Sequence, residues 1–344
     1  MNIGNNKIGY LVRPKIIAEI GINHNGSLDL AKKMAELAIN NGADFIKTQL
    51  HIPSEEMSDA AKEVIPKHTD KSIFHIMEDC ALSIDNEYKL KEFIESLGGN
   101  YLCTPFSAKA AEILGKFDVD AFKIGSGECN NPQILEIISA FKKPTIISTG
   151  MNNLDSVKRT NNLCTKLNLE TIFMHTTNLY PTPFNLVRLG AISELQGIVG
   201  KEKVGLSDHT TNNIACLGAI ALGAVLLERH FTDTKERNGP DIINSMDPKD
   251  LKNLRYESEL MFAMRGGSKE FDIKEENDTR AFAFATVVCT RNISKGEILS
   301  ENNCWPKRPG IGEIAAWDHQ KILGKKAKKD LLKEQHINWG DIEK

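Results

Sequence analysis

The chain has 344 residues, 41% of them hydrophobic, which suffices for one large domain with a packed core and a smaller second domain. Its formal net charge of -3 gives no global electrostatic reason to bind nucleic acid or an anionic membrane. The seven cysteines are scattered without a C-x-x-C pair, and the N-terminal residues contain no apolar signal segment. We therefore expect a cytoplasmic globular protein with neither a nucleic-acid nor a membrane partner.

Short β-branched runs alternate with segments of helical periodicity through most of the chain. Two of the helical segments, "SLDLAKKMAELAINNG" and "DNEYKLKEFIESLGG", end at glycine, as a helix C-cap does. About eight β-then-α units in roughly 250 residues predict an α/β fold of the (β/α)8 or TIM-barrel class, with residues 52–85 forming a long βα-loop. The predicted strands are residues 15–20, 44–50, 101–105, 121–126, 144–150, 171–177, 203–208 and 224–231.

Polar side chains lie at nearly every predicted strand end, where barrels of this class carry their chemistry. Polar residues at a single strand end do not indicate a functional site, because loops are generally polar. The same pattern at the strand ends of a whole barrel favours a functional site. The residues concerned include Glu19, Lys47, Gln49, Thr104, Lys123, Ser126, Glu128, Ser148, Asn178, Tyr180, Ser207, His209, Glu228 and His230.

The longest apolar run, "IACLGAIALGAVLLERHF", ends in a carboxylate, a guanidinium and an imidazole. Since side chains alternate along a strand, Glu228 and His230 share one face of the last strand, and Ser207 and His209 share one face of the strand before it. Two imidazoles on neighbouring strands predict a sparse divalent-metal site with open coordination positions. The alternative is that each histidine only forms hydrogen bonds within a loop, and spacing alone does not decide between the two.

Lys47 and Lys123 each lie inside an otherwise apolar strand, where an ammonium group needs a negative partner. Hydroxyl and amide donors at the neighbouring strand ends would complete a site suited to phosphate. The alternative is internal salt bridges, for example to Glu19 or Glu128. No P-loop or G-x-G-x-x-G motif precedes a helix, so the sequence does not predict a nucleotide site.

The character of the sequence changes after Met264. Residues 266–281 are charged and contain glycine, which predicts a linker. Residues 282–344 show short strands with turns at Lys295-Gly296 and Pro309-Gly310, which predict a small β-rich module. Arg308 lies in the second turn, which suits the presentation of a guanidinium, but its position alone favours an ordinary surface arginine.

Motifs spread along the whole chain closely resemble the sialic acid synthase family, and especially the bacterial N-acetylneuraminate synthases. They are "AEIGINHNGS" (18–27), "FKIGSGECNN" (122–131), "STGM" (148–151), "TTNLYPTP" (176–183), "GLSDHT" (205–210), "LERHFT" (227–232), "GPDIINSM" (239–246) and "KRPG" (307–310). The resemblance implies a catalytic TIM barrel over residues 1–265 and an antifreeze-like (SAF) domain over residues 282–344.

The implied reaction condenses phosphoenolpyruvate with open-chain N-acetylmannosamine to give N-acetylneuraminate and inorganic phosphate. The family's divalent metal, Mn²⁺ first and Mg²⁺ or Co²⁺ as alternatives, would be held by His209 and His230. The resemblance also implies a domain-swapped homodimer in which Arg308 enters the other subunit's site. The implied phosphate contacts are Lys47, Thr104, Lys123, Ser126, Ser148, Asn178 and Ser207; the implied sugar contacts are Glu19, Gln49, Tyr180 and Asp241; and Glu128 is the implied proton-handling carboxylate.

One position departs from the family pattern. Between Lys47 and Gln49 this chain has Thr48, where the N-acetylneuraminate synthases tend to have histidine. Alternation along the strand turns Thr48 away from the face that carries Lys47 and Gln49, so we expect catalysis to survive. The departure bears on the acceptor sugar, because the adjoining residues 52–57 are expected to line the acceptor pocket.

Three alternatives follow. A legionaminic or pseudaminic acid synthase would use a 2,4-diacetamido-2,4,6-trideoxyhexose and discriminate sharply, since a site built for hydroxyls loses hydrogen bonds to an analogue without them. A catalytically inactive sugar-binding barrel would release no phosphate. A Schiff-base aldolase would form a borohydride-trappable adduct on Lys123, which we predict does not form.

Overall fold

The computed structural model of the chain describes residues 1–65, 70–270 and 273–343. This described chain divides into two compact units, Met1–Gly266 and Gly267–Lys344. Within the predicted long βα-loop, residues 66–69 lie outside the described residues, as do residues 271 and 272 of the predicted linker.

In the first unit, eight parallel strands of the described chain close into a barrel, which confirms the predicted fold. Consecutive strands are neighbours, and the last one pairs with the first. Every predicted strand is present, some with ends trimmed by a few residues, because the β-branched runs that fill the wall end in polar loops. The barrel strands are β3 (Lys15–Gly21), β4 (Phe45–Leu50), β5 (Tyr101–Pro105), β6 (Phe122–Ile124), β7 (Thr145–Ser148), β8 (Thr171–Thr176), β9 (Val204–Asp208) and β10 (Leu226–His230).

Helices of the first unit pack around this wall and bury its outer face. Serine and asparagine side chains cap several of them: Ser27 accepts from the backbone N–H of Leu30, and Ser107 accepts from that of Ala110. The helices are α1 (Leu28–Asn40), α2 (Pro53–Glu56), α3 (Ile73–Cys80), α4 (Ile84–Ser96), α5 (Ala108–Lys116), α6 (Pro132–Ser139), α7 (Leu154–Lys166), α8 (Ala191–Val199), α9 (Ile214–Ala221) and α10 (Pro248–Met264). None of the described helices combines the length and apolarity that a membrane crossing requires.

A short N-terminal hairpin, β1 (Asn2–Ile3) and β2 (Asn6–Lys7), closes one end of the barrel. Its Ile3 and the following Ile8 are buried in an apolar cluster with residues from the beginnings of several barrel strands, among them Phe45. Since this end is filled with apolar side chains, the polar groups at the strand ends meet at the other end, where the strands finish.

The second unit is built around the antiparallel strands β11 (Thr286–Cys289) and β12 (Cys304–Lys307), with helices α11 (Asn277–Ala283) and α12 (His319–Ile322). It has its own small core, which includes Val287, Leu299 and Ile337. The predicted linker, residues 266–281, contains most of α11 and a 3-10 turn, Lys274–Glu276.

Candidate active site

A polar cavity of about 170 Å³ lies at the carboxyl ends of the barrel strands. It brings together residues from all eight strand ends of the described barrel, which are distant in sequence and meet only because the sheet closes. All the predicted site residues except Asp241 and Arg308 line it: Glu19, Lys47, Gln49, Thr104, Lys123, Ser126, Glu128, Ser148, Asn178, Tyr180, Ser207, His209 and His230.

The cavity also includes residues outside the predicted set of phosphate, sugar and metal contacts, although Glu228 is among the polar residues at the predicted strand ends. Phe106, Thr176 and Glu228 line it as well. The signal for Glu228 was present in the sequence, because alternation places it on the same face of β10 as His230. Thr176 carries a similar signal, because it is a polar residue at the end of the predicted strand 171–177, whereas Phe106 carries none.

Two lysines and two carboxylates that line the cavity form a buried charge network. Lys47 Nζ lies 2.7 Å from Glu19 Oε2 and 3.6 Å from Glu228 Oε1, and Lys123 Nζ lies 3.4 Å from the same Glu228 oxygen. The alternative prediction of an internal salt bridge is thus confirmed for Lys47 and Glu19. Two cations share two carboxylates here, and the lysines also reach hydroxyl groups that line the cavity.

The network shifts the pKa of its members in different directions. Burial raises the pKa of Glu19 to about 7, despite the adjacent Lys47 ammonium. Burial also opposes ionisation of Glu228, but the nearby Lys123 and Lys47 outweigh it and lower the Glu228 pKa to about 2. Burial lowers the pKa of Lys123, whereas the two carboxylates beside Lys47 outweigh burial and raise its pKa. Glu19 is therefore the member of this network that can exchange a proton near neutral pH.

Hydroxyl and amide groups surround the two ammonium groups. Lys47 donates to Thr104 Oγ1 at 3.2 Å, and Lys123 donates to Ser148 Oγ at 2.8 Å. Asn178 contributes a buried Oδ1 that has no hydrogen-bond partner within the protein. Gly150 makes this packing feasible, because a Cβ at that position would lie 1.7 Å from Asn178 Oδ1.

The Glu128 carboxyl group lines the same cavity, and burial raises its pKa. Its Oε2 atom is buried and has no hydrogen-bond partner within the protein. Buried polar atoms are usually satisfied, so unpaired oxygens on Glu128 and Asn178 that border one cavity mark positions where a ligand or water completes the hydrogen bonding. Glu128 is accordingly a second carboxyl group suited to proton transfer.

The rings of His209 and His230 lie with their centroids 5.5 Å apart, and Tyr180 stacks on His209 at 4.1 Å. His209 Nδ1 lies 3.0 Å from the carbonyl oxygen of Thr177, to which it can donate a hydrogen bond. In that tautomer the lone pair of the neutral ring is on Nε2 and is available to a metal. His230 Nδ1 is buried without a hydrogen-bond partner. Burial lowers the pKa of His209 to about 4 and that of His230 to about 3, so both rings are neutral near pH 7.

This pair fits the ligand requirements of a divalent metal in part. Neutral imidazoles with an available nitrogen are the form in which histidine binds metals. Among the described residues no cluster of three or more histidine, cysteine, aspartate or glutamate side chains has metal-binding geometry. Two histidines therefore suit a metal whose remaining coordination positions are filled by water or substrate oxygens.

The arginine at the end of the apolar run "IACLGAIALGAVLLERHF", Arg229, forms a buried ion pair with Asp208 of the neighbouring strand. Arg229 is almost fully buried, and its guanidinium lies 3.4 Å from Asp208 and donates to Asn213 Oδ1 and to the Thr210 carbonyl. Asp208 also accepts from the hydroxyl and backbone N–H of Thr210. The pair is packed on the outer side of the wall, while the residues that follow each member, His209 and His230, line the cavity.

Thr48 lies outside the cavity, as the alternation along β4 predicts. Its hydroxyl is hydrogen-bonded to the carboxyl group of Glu87 on α4, which also accepts a hydrogen bond of 2.6 Å from the Tyr101 hydroxyl. Burial raises the pKa of Glu87. The departure from the family pattern at Thr48 therefore changes the packing between strand and helix, whereas Lys47 and Gln49 keep their place in the cavity.

Asp241 and Arg308 lie outside the cavity lining. Asp241 borders the histidine pair, with Oδ2 3.7 Å from His230 Nδ1. Arg308 belongs to the second unit, where it directly follows β12.

The fold and this cavity define a (β/α)8-barrel protein with a buried ionic site at the carboxyl ends of its strands. The chain belongs to the NeuB family, whose model matches residues 34–270, and a SAF domain matches residues 284–343. This is the family of sialic, legionaminic and pseudaminic acid synthases, as the resemblance implies.

Three similarities illustrate the breadth of this family. The chain is 35% identical to the N,N'-diacetyllegionaminic acid synthase of Campylobacter jejuni, over 94% of this chain and 98% of that protein. It is 31% identical to the human N-acetylneuraminate-9-phosphate synthase, over 92% of this chain and 88% of that protein. The crystal structure of N-acetylneuraminic acid synthetase from Leptospira borgpetersenii, in complex with citrate, superimposes with a TM-score of 0.74 at 26% identity, covering 81% of this chain and 94% of that one.

Proposed function

We propose that this chain condenses phosphoenolpyruvate with the open-chain form of an N-acetylated sugar and releases inorganic phosphate. The observation that carries the proposal is the buried pair Lys47 and Lys123, surrounded by hydroxyl groups and placed in one cavity with two neutral histidines. Cationic and hydroxyl donors together suit a phosphate group, and the histidines lie beside it where the second substrate would react.

In the proposed reaction, carbon 3 of phosphoenolpyruvate attacks the aldehyde carbon of the sugar, and the aldehyde oxygen becomes a hydroxyl group. The positive charge that develops at carbon 2 is quenched by water, and phosphate then leaves with cleavage of its bond to carbon 2. Glu128 and Glu19 are the candidate acceptors of the proton from that water, since burial raises the pKa of both.

The remaining residues of the cavity bind and orient the two substrates. The phosphate group is assigned to the two lysines and the hydroxyl and amide groups around them. The sugar is assigned to Glu19, Gln49, Tyr180 and Asp241, by resemblance to the family. The phosphate contacts are Lys47, Thr104, Lys123, Ser126, Ser148, Asn178 and Ser207.

His209 and His230 are the proposed ligands of a divalent cation, Mn²⁺ first and Mg²⁺ or Co²⁺ as alternatives. When bound there, a divalent cation would supply Lewis-acid polarisation of the sugar's aldehyde oxygen and electrostatic stabilisation of negative charge on it. The support within this chain is the pair of neutral rings and the buried, unpartnered His230 Nδ1. Tyr180, stacked on His209, fixes the orientation of that ring.

A homodimer is part of the proposal, with the partner subunit's Arg308 completing each cavity. Subunit mixing tests it: Arg308→Ala and His230→Ala proteins, each inactive alone, are unfolded, mixed and refolded together. If Arg308 acts across the dimer, a hybrid has one cavity with both residues intact and regains activity. If Arg308 acts within its own subunit, both cavities of the hybrid lack one residue, and the mixture stays inactive.

N-acetylmannosamine, which would yield N-acetylneuraminate, is the first acceptor to test. The second candidate is a 2,4-diacetamido-2,4,6-trideoxyhexose, as a legionaminic acid synthase would use. Both candidates have support among the relatives, because the chain is 35% and 31% identical to two diacetyllegionaminic acid synthases and 31% identical to a human N-acetylneuraminate-9-phosphate synthase.

The deciding experiment measures phosphate release from phosphoenolpyruvate by metal-stripped protein with Mn²⁺ restored, for each acceptor in turn. Release that requires an acceptor, Mn²⁺ and His230 supports the proposal. Absence of release with every acceptor contradicts it and favours an inactive sugar-binding barrel. A borohydride-trapped adduct on Lys123 would instead favour Schiff-base chemistry.

A further inference from the structure

The loop that carries Asp241 is attached to the barrel at its far end. It runs from β10 to α10 and forms a 3-10 turn, Ile242–Asn244, directly after Asp241. The backbone N–H of Met246 donates to the carbonyl oxygen of His230 at 2.7 Å, and the Met246 carbonyl accepts from Thr232 at 2.9 Å. This attachment fixes Met246 beside the end of β10, whereas the position of Asp241 depends on other contacts.

The Asn23 side chain provides such a contact. Asn23 lies in the loop that follows β3 and is fully buried. Its amide nitrogen donates to the carbonyl oxygen of Phe231 and to the hydroxyl of Ser245, both at 2.9 Å. The Ser245 hydroxyl in turn donates to the carbonyl oxygen of Asp241 at 2.6 Å. One side chain therefore joins the end of β3, the residue that follows His230 and the loop that carries Asp241.

Both groups opposite the Asn23 amide nitrogen require a hydrogen-bond donor. A backbone carbonyl oxygen can only accept, and the Ser245 hydroxyl already donates its proton to Asp241. The NH2 group of asparagine supplies two donors from one atom, whereas a leucine of similar size supplies none. Among the described residues, Asn23 Oδ1 is buried without a hydrogen-bond partner, so the two donated bonds alone hold this side chain by hydrogen bonding.

These bonds bear on the separation of two groups of the proposed site. Asp241 Oδ2 lies 3.7 Å from His230 Nδ1, and the two side chains are 16% and 8% exposed. His230 belongs to β10, which pairs with β3, whereas Asp241 belongs to no strand. The Asn23 amide contacts the chain on both sides of this gap, directly next to His230 and through Ser245 at Asp241. Loss of the contact would free Asp241 to move while the strands stay in place.

We propose that Asn23 is a positioning residue of the active site, which acts through Ser245 to hold Asp241 beside His230. This inference rests on the proposed function, in which Asp241 contacts the sugar and His230 binds the cation. It adds Asn23 and Ser245, which do not line the cavity themselves, to the residues on which acceptor binding depends.

The test removes the contact from either side. Asn23→Leu keeps the approximate size of the side chain and removes both donors, and Ser245→Ala removes only a hydroxyl group. Asn41→Leu is the matched control, because the Asn41 amide also donates to a backbone carbonyl oxygen, that of Leu37 at 2.8 Å, but lies at the end of α1 and outside the cavity. Urea denaturation establishes that each variant is folded, and Ser245→Ala carries the test if Asn23→Leu is not.

Two measurements follow the position of Asp241. In crystals of the metal-free proteins, the distance from Asp241 Oδ2 to His230 Nδ1 should lengthen by about 1 Å in both variants, a displacement that disturbs substrate positioning. In phosphate release, each variant should raise KM for the acceptor by about tenfold, the effect of one lost hydrogen bond to a charged group.

KM for phosphoenolpyruvate should stay the same, because none of the proposed phosphate contacts lies on β3 or β10. The Asn23→Leu/Ser245→Ala double variant should raise KM for the acceptor no further than Asn23→Leu does, since both residues act through one contact. Asn41→Leu should behave as the wild type in both measurements.

An unchanged separation in folded Ser245→Ala protein, or an acceptor KM equal to that of the wild type, overturns the positioning role. An equal rise in KM for phosphoenolpyruvate also overturns it, since the damage would then extend beyond Asp241. Absence of phosphate release by the wild type with every acceptor overturns the proposed function, and the separation measured in the crystals then decides by itself whether Asn23 positions Asp241.

Discussion

Asp208 and Arg229 are direct neighbours across β9 and β10, and they form an ion pair whose side chains are 2% and 1% exposed. Each is followed along the chain by one of the two histidines of the site. Because side chains alternate across the wall, a pair fixed on the outer face holds the backbone from which both histidines enter the cavity. The relative position of the two imidazoles thus depends on an ion pair that touches neither.

The first prediction concerns this pair. Asp208→Asn leaves the buried guanidinium of Arg229 without a counter-charge, and we expect the free energy of unfolding to fall by about 3 to 5 kcal/mol. Urea denaturation measures it. The control is Asp118→Asn, which removes an exposed ion pair with Lys143 and should leave the denaturation midpoint unchanged. An Asp208→Asn midpoint equal to that of the wild type would contradict the proposed role of the pair.

The second prediction concerns the metal. His230→Ala should weaken Mn²⁺ binding by about tenfold or more, since it removes one of two proposed protein ligands. The electron paramagnetic resonance signal of free Mn²⁺, recorded during titration into the protein, measures binding without any substrate. His75→Ala, on the exposed surface of α3, is the matched control and should leave the titration unchanged. Superimposable Mn²⁺ titrations of His230→Ala and the wild type would contradict the proposed metal site.

The third prediction contrasts two adjacent residues on β4. Thr48→Val removes the hydroxyl that is bonded to Glu87, and we expect a loss of about 1 to 3 kcal/mol in unfolding free energy with unchanged phosphate-release kinetics. Gln49→Leu removes a proposed sugar contact and should raise KM for the acceptor. Thermal or urea unfolding together with steady-state kinetics separates the two effects. A kinetic defect in Thr48→Val as large as that in Gln49→Leu would contradict the assignment of Thr48 to packing and of Gln49 to sugar binding.

The fourth prediction concerns acid stability. Burial lowers the pKa of His24 to about 4, below its ordinary value of 6.5. Between these values the unfolded chain binds a proton that the folded chain does not, so His24 makes the protein less stable as the pH falls from 6.5 towards 4. Above pH 6.5 the ring is neutral in both states and contributes no pH dependence.

His24→Asn should therefore make the decline in unfolding free energy between pH 6.5 and 4 shallower, by at most about 1.4 kcal/mol per pH unit. Urea unfolding of both proteins at several pH values measures the difference. The raised pKa of Glu19 acts in the opposite direction in the same range, but it is common to both proteins and cancels. If the free energy of unfolding falls with pH at the same rate in both proteins, His24 is not a buried histidine that stays neutral in the folded state.

The fold was predictable because barrel strands and helices each carry a local signal, a β-branched run or a 3.6-residue period, that tertiary packing reinforces. Most of the polar side chains that line the cavity were predictable as well, because they lie where predicted strands end. The pairing of Lys47 with Glu19 was foreseen only as one of two alternatives, because a buried lysine needs an anion without specifying which one. Phe106 was not predictable as a cavity residue, since an apolar residue that follows a strand has no sequence signal that sets it apart.

The candidate active site is lined by residues of the barrel strands and of the loops that directly follow them, and none of the described residues between β4 and α4 lines it. Substitutions in that excursion therefore leave the strand-to-strand hydrogen bonds and the cavity lining in place. The two parts of the barrel can diverge separately: the excursion can change in sequence while the strand ends that carry the cavity stay as they are.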